Sequence, residues 1–154
     1  MTSHVEYTNC PVSPPVKQFS IFADNKVGKL NEIILMLSKH KVHIMALATV
    51  DTTDSSIVRL IVDYWEQAKN LFQEQGIHFA LNDVVVVEMA SEDILKQITC
   101  SLLQAEINIH YTYPMLIRPN GQYAQVMRTE DYYTATEVLN QNGLKTLKHH
   151  DITR

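Results

Sequence analysis

The chain has 154 residues, 45% of them hydrophobic and 19% charged, with a formal net charge of −4. This globular composition excludes a disordered chain, and the acidic balance argues against a broad nucleic-acid binder, which needs a basic face. Two distant cysteines, Cys10 and Cys100, form no CxxC pair and no disulfide framework, which fits a reducing, cytoplasmic setting.

Residues 1–16, with Pro11, Pro14 and Pro15, read as an extended arm without the apolar core of a signal peptide. No window approaches the run of ~20 apolar residues that spans a bilayer. From Lys17 the pattern turns regular. KQFSIFA places Phe19, Ile21 and Ala23 on one face and predicts a strand. LNEIILMLSKHK spaces Leu30, Ile33, Ile34 and Leu37 as a helix with one buried stripe. VHIMALATVD and IVRLIVD are strands around the turn TTDSS. WEQAKNLFQEQ carries Trp65, Ala68, Leu71 and Phe72 at helical spacing, and Gly76 stands where a helix C-terminus favours a left-handed residue. IHFAL is a strand, and Asn82-Asp83 signals a turn.

The order then repeats. VVVVEM is a strand, and DILKQITCSLLQAE is a helix with Ile94, Leu95, Ile98 and Leu102 inward. INIHYTYPMLI is a long strand that reaches a hairpin turn at Arg118-Pro119-Asn120-Gly121. QYAQVMR is a strand, EDYYTATEVLNQN a helix ending at Gly143, and LKTLKHH a final strand. An offset of 65 lays Leu30 on Leu95, Ile33 on Ile98 and Leu37 on Leu102; after the hairpin an offset of 67 lays Ala68 on Ala135 and Gly76 on Gly143. The chain therefore reads as an arm (1–16) and two tandem β-α-β-β-α-β units (17–83 and 84–154). Each is an α+β, ferredoxin-like unit, an antiparallel sheet with both helices on one face. Units this small must cover their remaining sheet surface, within the chain or by forming a homodimer.

The strand, the loop Asn25-Lys26-Val27-Gly28-Lys29-Leu30, the helix, and the step Lys41-Val42-His43-Ile44 into the next strand together resemble the ACT domain. That family commonly shows N-x-P-G-x-L in this loop and a G-[IVH]-N-I step. The likeness covers two copies from Lys17 onward. It implies a non-catalytic, regulatory, allosteric module that binds a small amino acid, as found attached to metabolic enzymes such as aspartate kinases. The family's proline is Val27 here, and its strand asparagine is His43 in the first copy and Asn108 in the second. The second copy has lost the loop: Asn25 and Gly28 correspond to Ala90 and Asp93.

The expected ligand site is therefore Asp24, Asn25, Val27, Gly28, Lys29 and Leu30, with His43 or Asn108 from a neighbouring unit closing it. Gly28 permits close backbone approach, the first helical turn attracts a carboxylate, and Asp24 can pair an ammonium group. The alternative is an assembly or interaction module that keeps the fold and has lost the ligand. No nucleophile set, P-loop or paired carboxylates stand out, so neither catalysis nor a cofactor is expected. His40, His43, His149 and His150 lack metal spacing and read as solvated surface, and Cys100 as partly buried. Tyr111, Tyr113 and Tyr123 raise an RNA-binding rival, but alternation puts Tyr111 and Tyr113 on one face, suited to sheet-to-sheet packing.

Overall fold

The period-two run after Lys17 forms strand β1, Val16–Asp24, in a computed structural model that describes residues 13–24, 28–52 and 54–153. Its odd-numbered apolar side chains, Phe19, Ile21 and Ala23, are buried against helices α1 (Lys29–Lys39) and α2 (Trp65–Glu74). Strands β2 (Ile44–Asp51) and β3 (Ser55–Val62) form a hairpin, and β3 pairs antiparallel with β1, setting Phe19 opposite Leu60. The Phe19, Phe72 and Phe79 rings meet at centroid distances of 5.1–5.8 Å, with Phe19 edge-on to the other two. Such pairs add about 1 kcal/mol each to their burial.

The second copy repeats the plan. Helices α3 (Asp93–Gln104) and α4 (Tyr132–Gln141) bury Ile98, Leu102, Ala135 and Leu139 against β4 (Phe79–Met89) and β6 (Tyr123–Thr129). Strand β5 (Ile109–Pro114) pairs with β6, and the two-residue β7 (Thr146–Leu147) pairs with β4. The result is the tandem ferredoxin-like arrangement expected, with strand order β2-β3-β1-β4-β6-β5 in one seven-stranded sheet. The copies agree at backbone level. Lys41 and Glu106 follow the first helix of each copy, Gly76 and Gly143 the second, and all four have positive φ.

The sequence expectation of a turn at Asn82-Asp83 is overturned. Both residues lie inside β4, opposite Gln18 and Lys17. Their polar groups, which signal a turn in isolation, are satisfied across strands: Ser20 Oγ donates to Asn82 Oδ1 at 3.0 Å, and Lys17 Nζ pairs with Asp83. One continuous strand thus serves both copies. It pairs with β1 through Val84 and with β6 from Val85 onward.

The shared strand lets the sheet curl, so the faces turned away from the helices pack on each other. Val16, Ala46, Ile61, Val84, Val86, Tyr113 and Val126 form this inner core. Gln18 is fully buried there. Its Nε2 donates to Tyr111 Oη at 2.6 Å and Ser20 Oγ at 3.1 Å, and its Oε1 accepts from Tyr113. These bonds satisfy the amide that burial would otherwise penalise. Tyr111 and Tyr113 are therefore packing residues between sheet faces, as alternation suggested, not a platform for RNA bases.

Further expectations change. Strand β5 ends at Pro114 rather than at Ile117, and the Leu116 N–H crosses to the Met45 carbonyl at 2.9 Å. The final strand shrinks to β7, and His149–Ile152 forms a helical turn, α5, with the Lys148 N–H donating to Asp151 Oδ2 at 2.7 Å. His149 is buried, its Nε2 2.8 Å from the Asp63 carbonyl, so it is not a solvated residue. Cys100 and Leu95 are exposed because α3 buries a narrow stripe through Ile98, Ser101 and Leu102.

Candidate functional site

Asp24 closes β1 opposite Ser55, and Gly28 opens α1 at φ +91°. A side chain at Gly28 would meet no atom within 4 Å, so the left-handed backbone, not crowding, calls for glycine. Asn25 and Val27, also expected at the site, lie outside the described residues. A cavity of about 240 Å³ lies beside the loop, lined by Asp24, Lys29, Leu30, Thr49, Asp51 and Ser56 among others. The Lys29 ammonium is 3.8 Å from Glu32, and Leu30 packs on the first helix core. Two carboxylates therefore share this cavity with a lysine and the N-terminal end of α1.

Asp51 was not among the residues expected at the site; the sequence reading placed it only as the last residue of the strand VHIMALATVD. The β2–β3 register sets it opposite Ser56, one residue from the partner of Asp24. Only the pairing of three strands brings it to the loop. The signal available in the sequence was an aspartate at the C-terminal end of each of the strands β1 and β2.

His43 and Asn108 stand elsewhere. The His43 N–H donates to Asp63 Oδ1 at 2.8 Å, and its Nδ1 lies 2.9 Å from Asp63 Oδ2. In the second copy Glu130 Oε2 accepts from both the backbone N–H and the side-chain amide of Asn108, at 3.3 and 3.1 Å. The two residues are equivalent latches, each closing the start of one strand against the end of the next. His43 and Asp24 flank opposite ends of β3, a separation of about 23 Å for seven residue steps. One small ligand of the first copy does not touch both from the same unit.

The second copy's loop differs in kind. Glu92 precedes α3 with right-handed helical angles, and Asp93 lies in the first turn. The Ile94 and Leu95 N–H groups are already bonded to the carbonyls of Ser91 and Glu92. Negative side chains at a helix N-terminus compete with an anionic ligand. No group of three or more His, Cys, Asp or Glu among the described residues is arranged to hold a metal ion.

Two tandem βαββαβ units sharing a strand define a double ferredoxin-like protein with a cavity beside the start of α1 in its first copy. The ACT domain pair family model matches residues 15–154, and the chain belongs to that family of regulatory, small-molecule-binding domains. Among solved structures it is similar to protein BT0572 from Bacteroides thetaiotaomicron, with 25% identity, a TM-score of 0.82 and coverage of 92% of this chain and 98% of that one. It shares its fold with the regulatory subunits of aspartate kinase from Thermus thermophilus (11% identity, TM-score 0.58, 83% and 92% covered) and Thermus flavus (9%, 0.56, 86% and 94%). A search by sequence among curated proteins found no match.

Proposed function

We propose that this protein is a non-catalytic regulatory module that binds a small free amino acid at the β1–α1 cradle of its first unit. The observation that carries the reading is the asymmetry between equivalent loops. One pairs a left-handed glycine with a cavity; the other fills the same place with acidic residues. A zwitterion fits the first. Its carboxylate meets the N-terminal N–H groups of α1 and Lys29, and its ammonium meets Asp24 and Asp51. Asn25 and Val27 complete the loop.

The far wall comes from another unit. His43 is half-exposed, and its Nε2 is the ring nitrogen that Asp63 does not engage, while Asn108 stands exposed at the corresponding place in the second copy. A homodimer would set one of these edges over the loop, and ligand binding would then favour one packing of subunits over another. We keep the unit boundary between Asp83 and Val84, a reading supported by the β4 handover from β1 to β6 just after it. The aspartate kinase subunits that share the fold support a partner of the same kind, a cytoplasmic metabolic enzyme.

Isothermal titration and thermal shift with the twenty amino acids test the reading. One of them should raise Tm, since a ligand at a hundred times its Kd adds about 2.7 kcal/mol to native stability. No binding by any at about millimolar concentration, an affinity of roughly 4 kcal/mol, sinks it and leaves an assembly module.

A further inference from the structure

A second cavity, of about 310 Å³, opens on the inner side of the curled sheet, away from the α1 loop. Both copies build it. Phe22, Arg59 and Asn82 come from the first sheet and the shared strand, and His110, Tyr111 and Arg128 come from the second copy. Its walls hold two guanidinium groups and an imidazole and no carboxylate side chain.

Neither arginine has a carboxylate partner among the described residues, none lying within 4 Å of either guanidinium. Arg128 uses Nη1 to hold the Asp83 carbonyl at 2.9 Å, at the point where β4 passes from one copy to the other. Arg59 Cζ lies over the Tyr111 ring, 3.6 Å from its centre, and its Nε is buried with no hydrogen-bond partner among the described residues. Stacking holds the guanidinium plane still, leaving its remaining N–H groups arranged for an acceptor. Two like charges facing one partly desolvated space repel each other, and an anion between them reverses the sign of that interaction.

Beside the polar Ser20 and Asn82, the rest of the wall offers apolar surface. Phe22 is 53% exposed, and Ile57 and Ala80 extend its surface. We propose that this cleft binds a small organic anion, a carboxylate carried on an apolar or aromatic body, with Arg59 and Arg128 taking the carboxylate and Phe22, Ile57 and Ala80 the body. Such a ligand bridges the two copies and stiffens their packing. The site is separate from the amino-acid cradle and stands or falls independently of it.

Calorimetric titration of the full chain with phenylacetate, its neutral isostere phenylacetamide, and inorganic phosphate tests this. Phenylacetate should bind, more weakly as salt is raised, and phenylacetamide and phosphate should each bind at least about tenfold more weakly. Arg59→Met and Arg128→Met, each confirmed folded by its melting curve, should each weaken phenylacetate by about tenfold or more. Arg128→Met keeps the test alive if Arg59→Met fails to fold. Gly28→Asp should leave phenylacetate binding unchanged, which separates this site from the cradle. Equal binding of phenylacetate and phenylacetamide overturns the proposal. So does phosphate binding as tightly as phenylacetate, or phenylacetate binding that both arginine variants retain.

Discussion

The α1 and α3 N-termini are the same place in two copies of one fold, and they have diverged in chemistry while their surroundings have not. Both copies keep a positive-φ residue after each helix, and both keep a carboxylate latch from the end of one strand to the start of another. Those features serve packing, which each copy must solve alike. The loops face no shared packing demand: one presents Gly28 beside a cavity, the other Glu92 and Asp93. The difference separates what the fold requires from what a ligand requires. It also recasts His43 and Asn108 as latch residues first.

The comparison can be broken at four places. The largest effect is expected at the latches. Asp63 is buried and accepts from the His43 and Tyr64 N–H groups, so Asp63→Ala strands both donors and should cost about 3 kcal/mol in urea unfolding. Its exposed counterpart can recruit water, and Glu130→Ala should cost less than about 1 kcal/mol. Equal costs would show that the copies are not asymmetric in burial.

Next comes the loop itself. Gly28→Asp gives the first copy the second copy's residue at a left-handed backbone position, costing about 1 kcal/mol of stability. Amino-acid affinity should fall at least about tenfold, roughly 1.4 kcal/mol, because a carboxylate then sits where the ligand's own would. Asp93→Gly in the second copy should leave affinity as it was.

The interior where the copies meet gives the third test. Burial pushes the Tyr113 phenol above its ordinary range, the nearby Tyr111 adds to this, and Arg59 opposes it. The unfolded phenol loses its proton near about pH 10 while the folded one keeps it, so stability falls as pH rises above that value. Tyr113→Phe should flatten this alkaline loss. It should also cost about 1–2 kcal/mol at neutral pH, because Gln18 Oε1 loses its donor.

The smallest effect is at the start of α4. The Thr134 N–H and hydroxyl bonded to Asp131 hold its carboxyl below the usual carboxylate range. Its contribution is present above the ordinary carboxylate pKa and fades as pH falls through the folded value. Asp131→Asn, compared with the parent in urea midpoints from about pH 6 to about pH 3, should show a shallower acid loss.

What the sequence disclosed was local. Leu30, Ile33 and Leu37 reveal a helix by their own spacing, and Gly76 and Gly143 reveal helix ends, because neighbours in the chain fix these features. Asp24, Gly28, Lys29 and Leu30 were readable for the same reason, since they flank one loop. Asn82-Asp83 misled because Ser20 and Lys17, over sixty residues away, satisfy its polar groups in a strand. Asp51 reaches the cradle only through strand register. His149 is buried only because α5 docks on Asp63, and Arg59 and Arg128 meet only because the sheet curls.

The central claim is that the first copy's loop is the ligand cradle and the second is not. Backbone amide chemical shifts, followed as the amino acid that raises Tm is titrated in, test it residue by residue. The account predicts that Gly28, Lys29 and Leu30 move and saturate together while Asp93, Ile94 and Leu95 stay fixed. Saturating shifts at Asp93–Leu95, with Gly28–Leu30 unmoved, would contradict it.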